Sequence, residues 1–275
     1  MKLYSFNFTI ISNFYYIFKL FSFFIISVNN CCIIIKIINI TFLKFIYKVI
    51  FLCIKIMHQT VKNLLNIQSK VKKKIQENNF ENVPNIIAVS KTFNLDHIIH
   101  LINHGHLHYG ENKVQEALEK WEDVKKENTN IQLHLIGKLQ TNKVKFALRL
   151  FDYIHSLDSE KLAQKIASFQ SANKKSVKLF IQVNIGNEDQ KSGIEISKLS
   201  EFYNYCKELK LDIIGLMCIP PIDGDTSSYF KKMLELKNAH HFKELSMGMS
   251  SDYLDAINYK SSFLRIGSNI FGSRS

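Results

Sequence analysis

Ile86-Ile87-Ala88-Val89-Ser90-Lys91 decides how this chain is read: four apolar residues in a row stop on a polar pair. A run that short, bounded by polar residues, fits a strand covered on both faces. A helix is expected next at Leu95–Asn103, with Asn94 as its cap. Upstream, Val61–Glu77 spaces Leu64, Leu65, Ile67, Val71 and Ile75 as one helical stripe.

The strand-then-helix unit recurs downstream. Further strands are expected at His106–Tyr109, Gln132–Ile136, Tyr153–Ser156, Val177–Asn184, Asp212–Cys218, Glu244–Met247 and Phe263–Arg265. The intervening helices are expected near Glu111–Lys125, Thr141–Leu150, Ser159–Ser171, Ile196–Leu209, Ser227–His240 and Ser251–Asn258, with a last turn after Gly267. Alternation of this kind means parallel pairing, because parallel neighbours need a crossover. Eight units in a little over 200 residues suit a single closed (β/α)8 barrel of the TIM type, an α/β fold. An open doubly wound sheet is the alternative.

Composition divides the chain. Residues 1–56 contain no Gly, Ala, Pro, Asp, Glu, Arg, His, Gln or Trp, whereas all ten Gly and all three Pro follow Met57. Three readings of this leader stay open. Leu3 to Val28, interrupted by Lys19, is long enough to span a membrane. A targeting peptide fits less well, since Arg and a small-residue cleavage site are missing. In the third reading translation starts at Met57, and residues 1–56 are upstream sequence with the bias of AT-rich DNA. The domain that carries function is therefore expected at residues 57–275, and a membrane enters only if residues 1–56 are real.

Charge follows the same division. Six leader lysines account for half of the formal +12, which leaves +6 on the remaining residues, with acids mixed among the bases. That is a solvated surface with at most a mild preference for anions. No basic run alternates with aromatics as a nucleic-acid groove requires, so no nucleic acid is expected as partner. Cys206 and Cys218 form no CxxC pair, and the body reads as reduced and cytoplasmic.

A barrel carries its chemistry at the C-terminal ends of its strands. Those ends deliver, among others, Lys91, Asn112, His134, Met217, Ser246, Ser250, Arg265, Gly267 and Ser268, which are the candidate site residues. A lysine after an apolar strand is partly desolvated, which favours the neutral, nucleophilic amine; it can equally be snorkelling to solvent. Small residues at Ser250 and Gly267-Ser268 can present N–H groups and hydroxyls to a phosphate, or be ordinary turn chemistry. Arg265 offers a fixed cation to the barrel mouth, or a surface ion pair. His97, His100, His104, His106 and His108 invite a metal, but no Asp, Glu or Cys pattern accompanies them; they read as decoration of a helix and its exit. Asp158-Ser159-Glu160 reads as a helix start, and no Walker loop, GxGxxG or GxSxG is present.

From about Asn85 onward, one ordered set of segments is specific as a set. It comprises Ala88-Val89-Ser90-Lys91, Tyr109-Gly110-Glu111-Asn112, His134-Leu135-Ile136-Gly137, Gln182-Val183-Asn184, Gly215-Leu216-Met217, Ser246-Met247-Gly248-Met249-Ser250 and Arg265-Ile266-Gly267. With these the chain resembles the pyridoxal phosphate homeostasis proteins, single-domain relatives of the barrel of bacterial alanine racemase. Lys113 stands where an aromatic is common and Thr141 where Ser is common; residues 1–56 have no counterpart.

The resemblance implies pyridoxal 5′-phosphate as cofactor, with Lys91 as the Schiff-base lysine. It implies Ser250, Gly267 and Ser268 at the phosphate and Arg265 at the pyridine nitrogen. An Arg there leaves the nitrogen unprotonated and the ring a poor electron sink. Racemases of this barrel class recruit a second base from an added β domain, for which ten residues after Arg265 leave no room. The expected function is thus vitamin B6 homeostasis: binding, buffering and delivery of pyridoxal phosphate to apo-enzymes, by a monomer that is not an enzyme. A low-activity amino-acid racemase is the alternative. Lys143 and Lys191 are candidate secondary holders of the cofactor.

Overall fold

In the computed structural model, residues 57–173, 175–188, 192–221 and 224–272 are described. The leader readings for residues 1–56, and Lys191, lie outside the described residues. Helix α1 (Gln59–Glu77) precedes eight units: β1 (Asn85–Val89) and α2 (Leu95–Asn103), β2 (His108–Glu111) and α3 (Val114–Glu127), β3 (Gln132–Leu135) and α4 (Val144–Leu150), β4 (Tyr153–Leu157) and α5 (Glu160–Asn173). The second half runs β5 (Lys178–Gln182), α6 (Leu199–Glu208), β6 (Ile213–Met217), α7 (Thr226–Ala239), β7 (Glu244–Ser246), α8 (Tyr253–Asn258), β8 (Phe263–Ile266) and α9 (Ser268–Phe271). Short 3₁₀ turns at Thr141–Lys143 and Ile196–Lys198 lead into α4 and α6.

All eight strands pair in parallel and in sequence order, and β1 closes on β8 through Asn85↔Phe263 to Ala88↔Ile266. The (β/α)8 barrel expected from the sequence is the fold. Two details differ. Asn94 precedes α2 in extended conformation, but its side chain makes no capping bond. Strand β2 lies two residues later than its apolar residues suggest and ends on a buried carboxylate, Glu111.

The barrel interior is filled by Ile87, Val89, Tyr153, Phe180, Met217 and Phe263. The strand residues between these point to the helical ring, where Tyr109 lies against Trp121 with ring centroids 4.8 Å apart. Helix α1 buries Val61, Leu64, Ile67, Val71 and Ile75, each worth about 1.5–3 kcal/mol relative to exposure. Leu65 falls off this stripe and is exposed. The buried face packs on α2, α8 and α9, and Asn63 Nδ2 donates to Ile270 O at 2.9 Å. In this way α1 fastens the last short helix over the barrel mouth. No helix among the described residues is long and apolar enough to cross a membrane.

Candidate functional site

The C-terminal ends of the strands surround a cavity of about 530 Å³. Six of the nine candidate residues line it: Lys91, Asn112, Ser250, Arg265, Gly267 and Ser268. Its apolar walls come from Val89, Ile136, Ile219 and Met249, with Phe93 stacked on Phe271 at 4.9 Å beside it.

Lys91 sits on a turn held from several sides. Ser90 N–H donates to Gly110 O at 3.0 Å, Phe93 N–H to Ser90 O at 3.1 Å, and Thr92 N–H to Glu116 Oε1 at 2.7 Å. Thr92 has φ 68, a left-handed conformation that a β-branched residue adopts only when its surroundings dictate it. Behind the turn, Glu111 Oε1 accepts from Ser90 Oγ at 2.7 Å, Trp121 Nε1 at 2.9 Å and Lys120 Nζ at 3.0 Å. Lys120 also donates to Ser90 O at 3.0 Å. This clamp was not read from the sequence. Its one visible signal is a glutamate at the end of a strand whose neighbours are apolar.

Ser250 and the turn into α9 form the opposite wall. The N–H groups of Gly267 and Asn269 converge on Ser250 Oγ at 3.3 and 3.4 Å, and Asn269 Nδ2 donates to Ser250 O at 2.8 Å. Two backbone donors and two hydroxyls, Ser250 and Ser268, thus face one side of the cavity. Asn112 is positioned by Gly137: a Cβ there would stand 2.3 Å from Asn112 O, so only glycine permits the approach. Gly248 does the same below Ser250, with φ +91 and Ala256 Cβ 2.7 Å from where its own Cβ would be.

Arg265 is 4% exposed, and among the described residues no ion pair includes it. Its Nη1 donates to Ser246 Oγ at 2.7 Å and its Nη2 to Cys218 O at 2.7 Å. Burial lowers its pKa below the ordinary guanidinium value, while Cys218 and Asp252 act the other way. Burial pushes the Cys218 thiol up to about 12, so it stays a neutral thiol.

His134, Met217 and Ser246 do not reach the cavity. All three are fully buried inside the barrel beneath it. His134 and Ser246 instead belong to a polar chain that ends on Arg265. Of the histidines, His108 also points inward, its Nδ1 3.0 Å from His134 Nε2, so it is not surface decoration. Among the described residues no group of three His, Cys, Asp or Glu is arranged to hold a metal.

A lysine, a turn carrying two N–H groups and two hydroxyls, and a buried arginine therefore share one cavity with apolar walls. That set suits a flat ligand carrying an electrophilic carbon, an anionic group and an acceptor atom.

Comparison with known proteins identifies the family and the fold. The alanine racemase, N-terminal domain, family matches residues 63–275. The pyridoxal phosphate homeostasis protein of Aquifex aeolicus is 38% identical over 204 residues, 70% of this chain and 89% of that protein. That of Escherichia coli K12 is 34% identical over 199 residues, 69% of this chain and 85% of its own. PipY of Synechococcus elongatus, solved with PLP bound, superposes with a TM-score of 0.67 at 31% identity, covering 78% of this chain and all of PipY. Alanine racemase of Clostridium difficile shares the fold at 14% identity with a TM-score of 0.61, over 78% of this chain and 57% of that one.

Proposed function

This chain belongs to the alanine racemase N-terminal-domain family, among its pyridoxal phosphate homeostasis proteins, and on that premise we propose that it holds pyridoxal 5′-phosphate on Lys91. The function is vitamin B6 homeostasis: binding and buffering of the cofactor. The observation that carries the site is the meeting of Lys91, the Ser250–Gly267 turn and Arg265 around one cavity.

The donor set fits the group. When bound, pyridoxal phosphate supplies an aldehyde carbon and an aromatic ring with a basic nitrogen. Lys91 offers the amine for that carbon. The Ser250 hydroxyl, on which the Gly267 and Asn269 N–H groups converge, would donate to the phosphate together with the Ser268 hydroxyl. Arg265 donates toward the ring nitrogen and keeps its own proton, so it stabilises charge without supplying an acid. Asn112 and Ile136 line the same cavity and would border the ring, with Val89 and Ile219 as its apolar wall.

Holding a reactive aldehyde on one lysine spares other cellular amines, and exchange with an incoming amine lets it leave. We read the protein as a cytoplasmic monomeric carrier that delivers to apo-enzymes rather than as an enzyme; the relatives' designation as homeostasis proteins supports that reading. The function is assigned to residues 57–275.

The test is borohydride reduction of the pyridoxal phosphate-loaded chain, followed by peptide mapping. A pyridoxyl mass on the peptide containing Lys91, lost together with the yellow absorbance in Lys91→Ala, is the expected result. A yellow, folded Lys91→Ala protein overturns the assignment of the lysine.

A further inference from the structure

Three imidazoles run end to end through the middle of the barrel. His108 Nδ1 lies 3.0 Å from His134 Nε2, and His134 Nδ1 lies 2.9 Å from His155 Nε2. His155 Nδ1 then crosses the barrel to Ser246 Oγ at 2.8 Å, the oxygen that also receives Arg265 Nη1. Two of the rings stack on aromatics: His134 on Tyr153 and His155 on Phe180, both with centroids 4.3 Å apart. His134, His155 and Ser246 are wholly buried. His108, at the far end, lines a second cavity on the opposite face of the barrel.

The direction of this chain follows from one residue. A guanidinium only donates, so Ser246 Oγ accepts from Arg265. A buried hydroxyl proton needs an acceptor, and the remaining partner of Ser246 is His155 Nδ1. His155 Nδ1 is therefore a lone pair and its proton sits on Nε2, directed at His134 Nδ1. The same step repeats from His134 Nε2 to His108 Nδ1.

We infer that His108, His134 and His155 are neutral Nε2–H tautomers aligned head to tail away from Arg265, and that His155 and Ser246 are positioning residues for its guanidinium. Each imidazole turns its electron-rich nitrogen toward the cation, so the chain solvates a buried charge that makes no ion pair with a carboxylate among the described residues. Arg265 gives up no proton, which makes the chain a brace closed at its upper end rather than a proton conduit.

The charges facing the chain agree with neutral rings. Arg265 faces its upper end, and Lys125 of α3, Lys178 of β5 and Asp152 face the lower part. Burial, then neighbouring His155, holds His134 well below 6.5; burial, then Arg265, does the same for His155. The inference concerns the protein without cofactor and stands independently of Lys91.

The measurement is long-range ¹H–¹⁵N correlation on the full chain labelled at histidine, with the three rings assigned through their own side-chain connectivities. Protonated Nε2 and unprotonated Nδ1 at all three rings near neutral pH is the expected result. A protonated Nδ1 at His134 or His155, or an imidazolium there, overturns the inference, and no variant needs to fold for that outcome. The positioning role has its own readout. Separate Arg265 Nη1 and Nη2 proton signals should coalesce in Ser246→Ala and return in Ser246→Thr. Signals unchanged in a folded Ser246→Ala remove Ser246 from that role.

Discussion

Ser90 Oγ donates to Glu111 Oε1 at 2.7 Å on the helical side of the barrel, one residue before the lysine that faces the cavity. The bond ties the end of β1 to the end of β2, and Lys120 and Trp121 of α3 complete it on the same oxygen. A cluster outside the barrel thus sets where the lysine that lines the cavity stands. Glu111→Ala should destabilise the protein by about 1–3 kcal/mol, because the buried Ser90 Oγ and Trp121 Nε1 lose their acceptor, while Lys120 keeps Ser90 O and Glu116 Oε1. Urea unfolding checks this. A loss under about 1 kcal/mol would show that the clamp adds little to stability.

The same cluster explains why β2 was misplaced by sequence reasoning. Tyr109-Gly110-Glu111 ends on a charge, so the strand was read as stopping at Tyr109 and Glu111 as opening the next helix; in the structure Glu111 is a strand residue and α3 starts at Val114. Three donors make the buried carboxylate tolerable, and they come from positions 90, 120 and 121. Periodicity reports burial of apolar surface and is blind to such partners. Strands β1 and β4, buried almost throughout, are legible to within a residue. The cavity residues at strand ends were legible for the same reason: in a barrel the strand's end gives the address. His134, Met217 and Ser246 share that address in sequence but lie deeper, because side chains stack in layers inside the barrel.

Gly137 offers a test of the cavity that leaves its chemical groups in place. A Cβ at residue 137 would press on the backbone of Asn112, with contacts of 2.3 Å to O and 2.8 Å to Cα. Backbone cannot swing aside as a side-chain tip can, so Gly137→Ala should shift Asn112 into the cavity. The expected outcome is at least a roughly tenfold weaker Kd for pyridoxal phosphate, about 1.4 kcal/mol, with Lys91 intact. Equal Kd values by fluorescence titration would mean that Asn112 does not border the ligand.

Stability should fall with acid in a definite window. Burial, with His108 beside it, lowers the pKa of His106 to about 4, and burial holds His134 and His155 well below 6.5. The unfolded chain takes up these protons near 6.5 while the folded chain refuses them. Unfolding is therefore accompanied by proton uptake below that pH, and stability rises with pH until about 6.5. Each histidine contributes at most about 1.4 kcal/mol per pH unit. Their contribution is complete above 6.5 and is lost as pH falls toward 4 and below. Denaturant midpoints at pH 7 and pH 5 check the sign, and equal midpoints would contradict neutral burial of the imidazoles.

Substitution at Ser250 tests the proposed phosphate contact apart from everything else in the cavity. Its hydroxyl holds the Gly267 and Asn269 N–H groups on one point, while its backbone carbonyl takes Asn269 Nδ2. Ser250→Ala removes the hydroxyl and leaves the carbonyl contact and the turn. A hydrogen bond to a charged group contributes about 1.5–3 kcal/mol, so the Kd for pyridoxal phosphate should rise roughly 10- to 150-fold. Pyridoxal carries the same aldehyde and ring without the phosphate, and its affinity should be unchanged by the substitution. The two ligands measured side by side locate the effect: a loss confined to pyridoxal phosphate puts the anion at the Ser250–Gly267 wall. An equal loss for both would mean that Ser250 shapes the cavity as a whole and that the phosphate is held elsewhere.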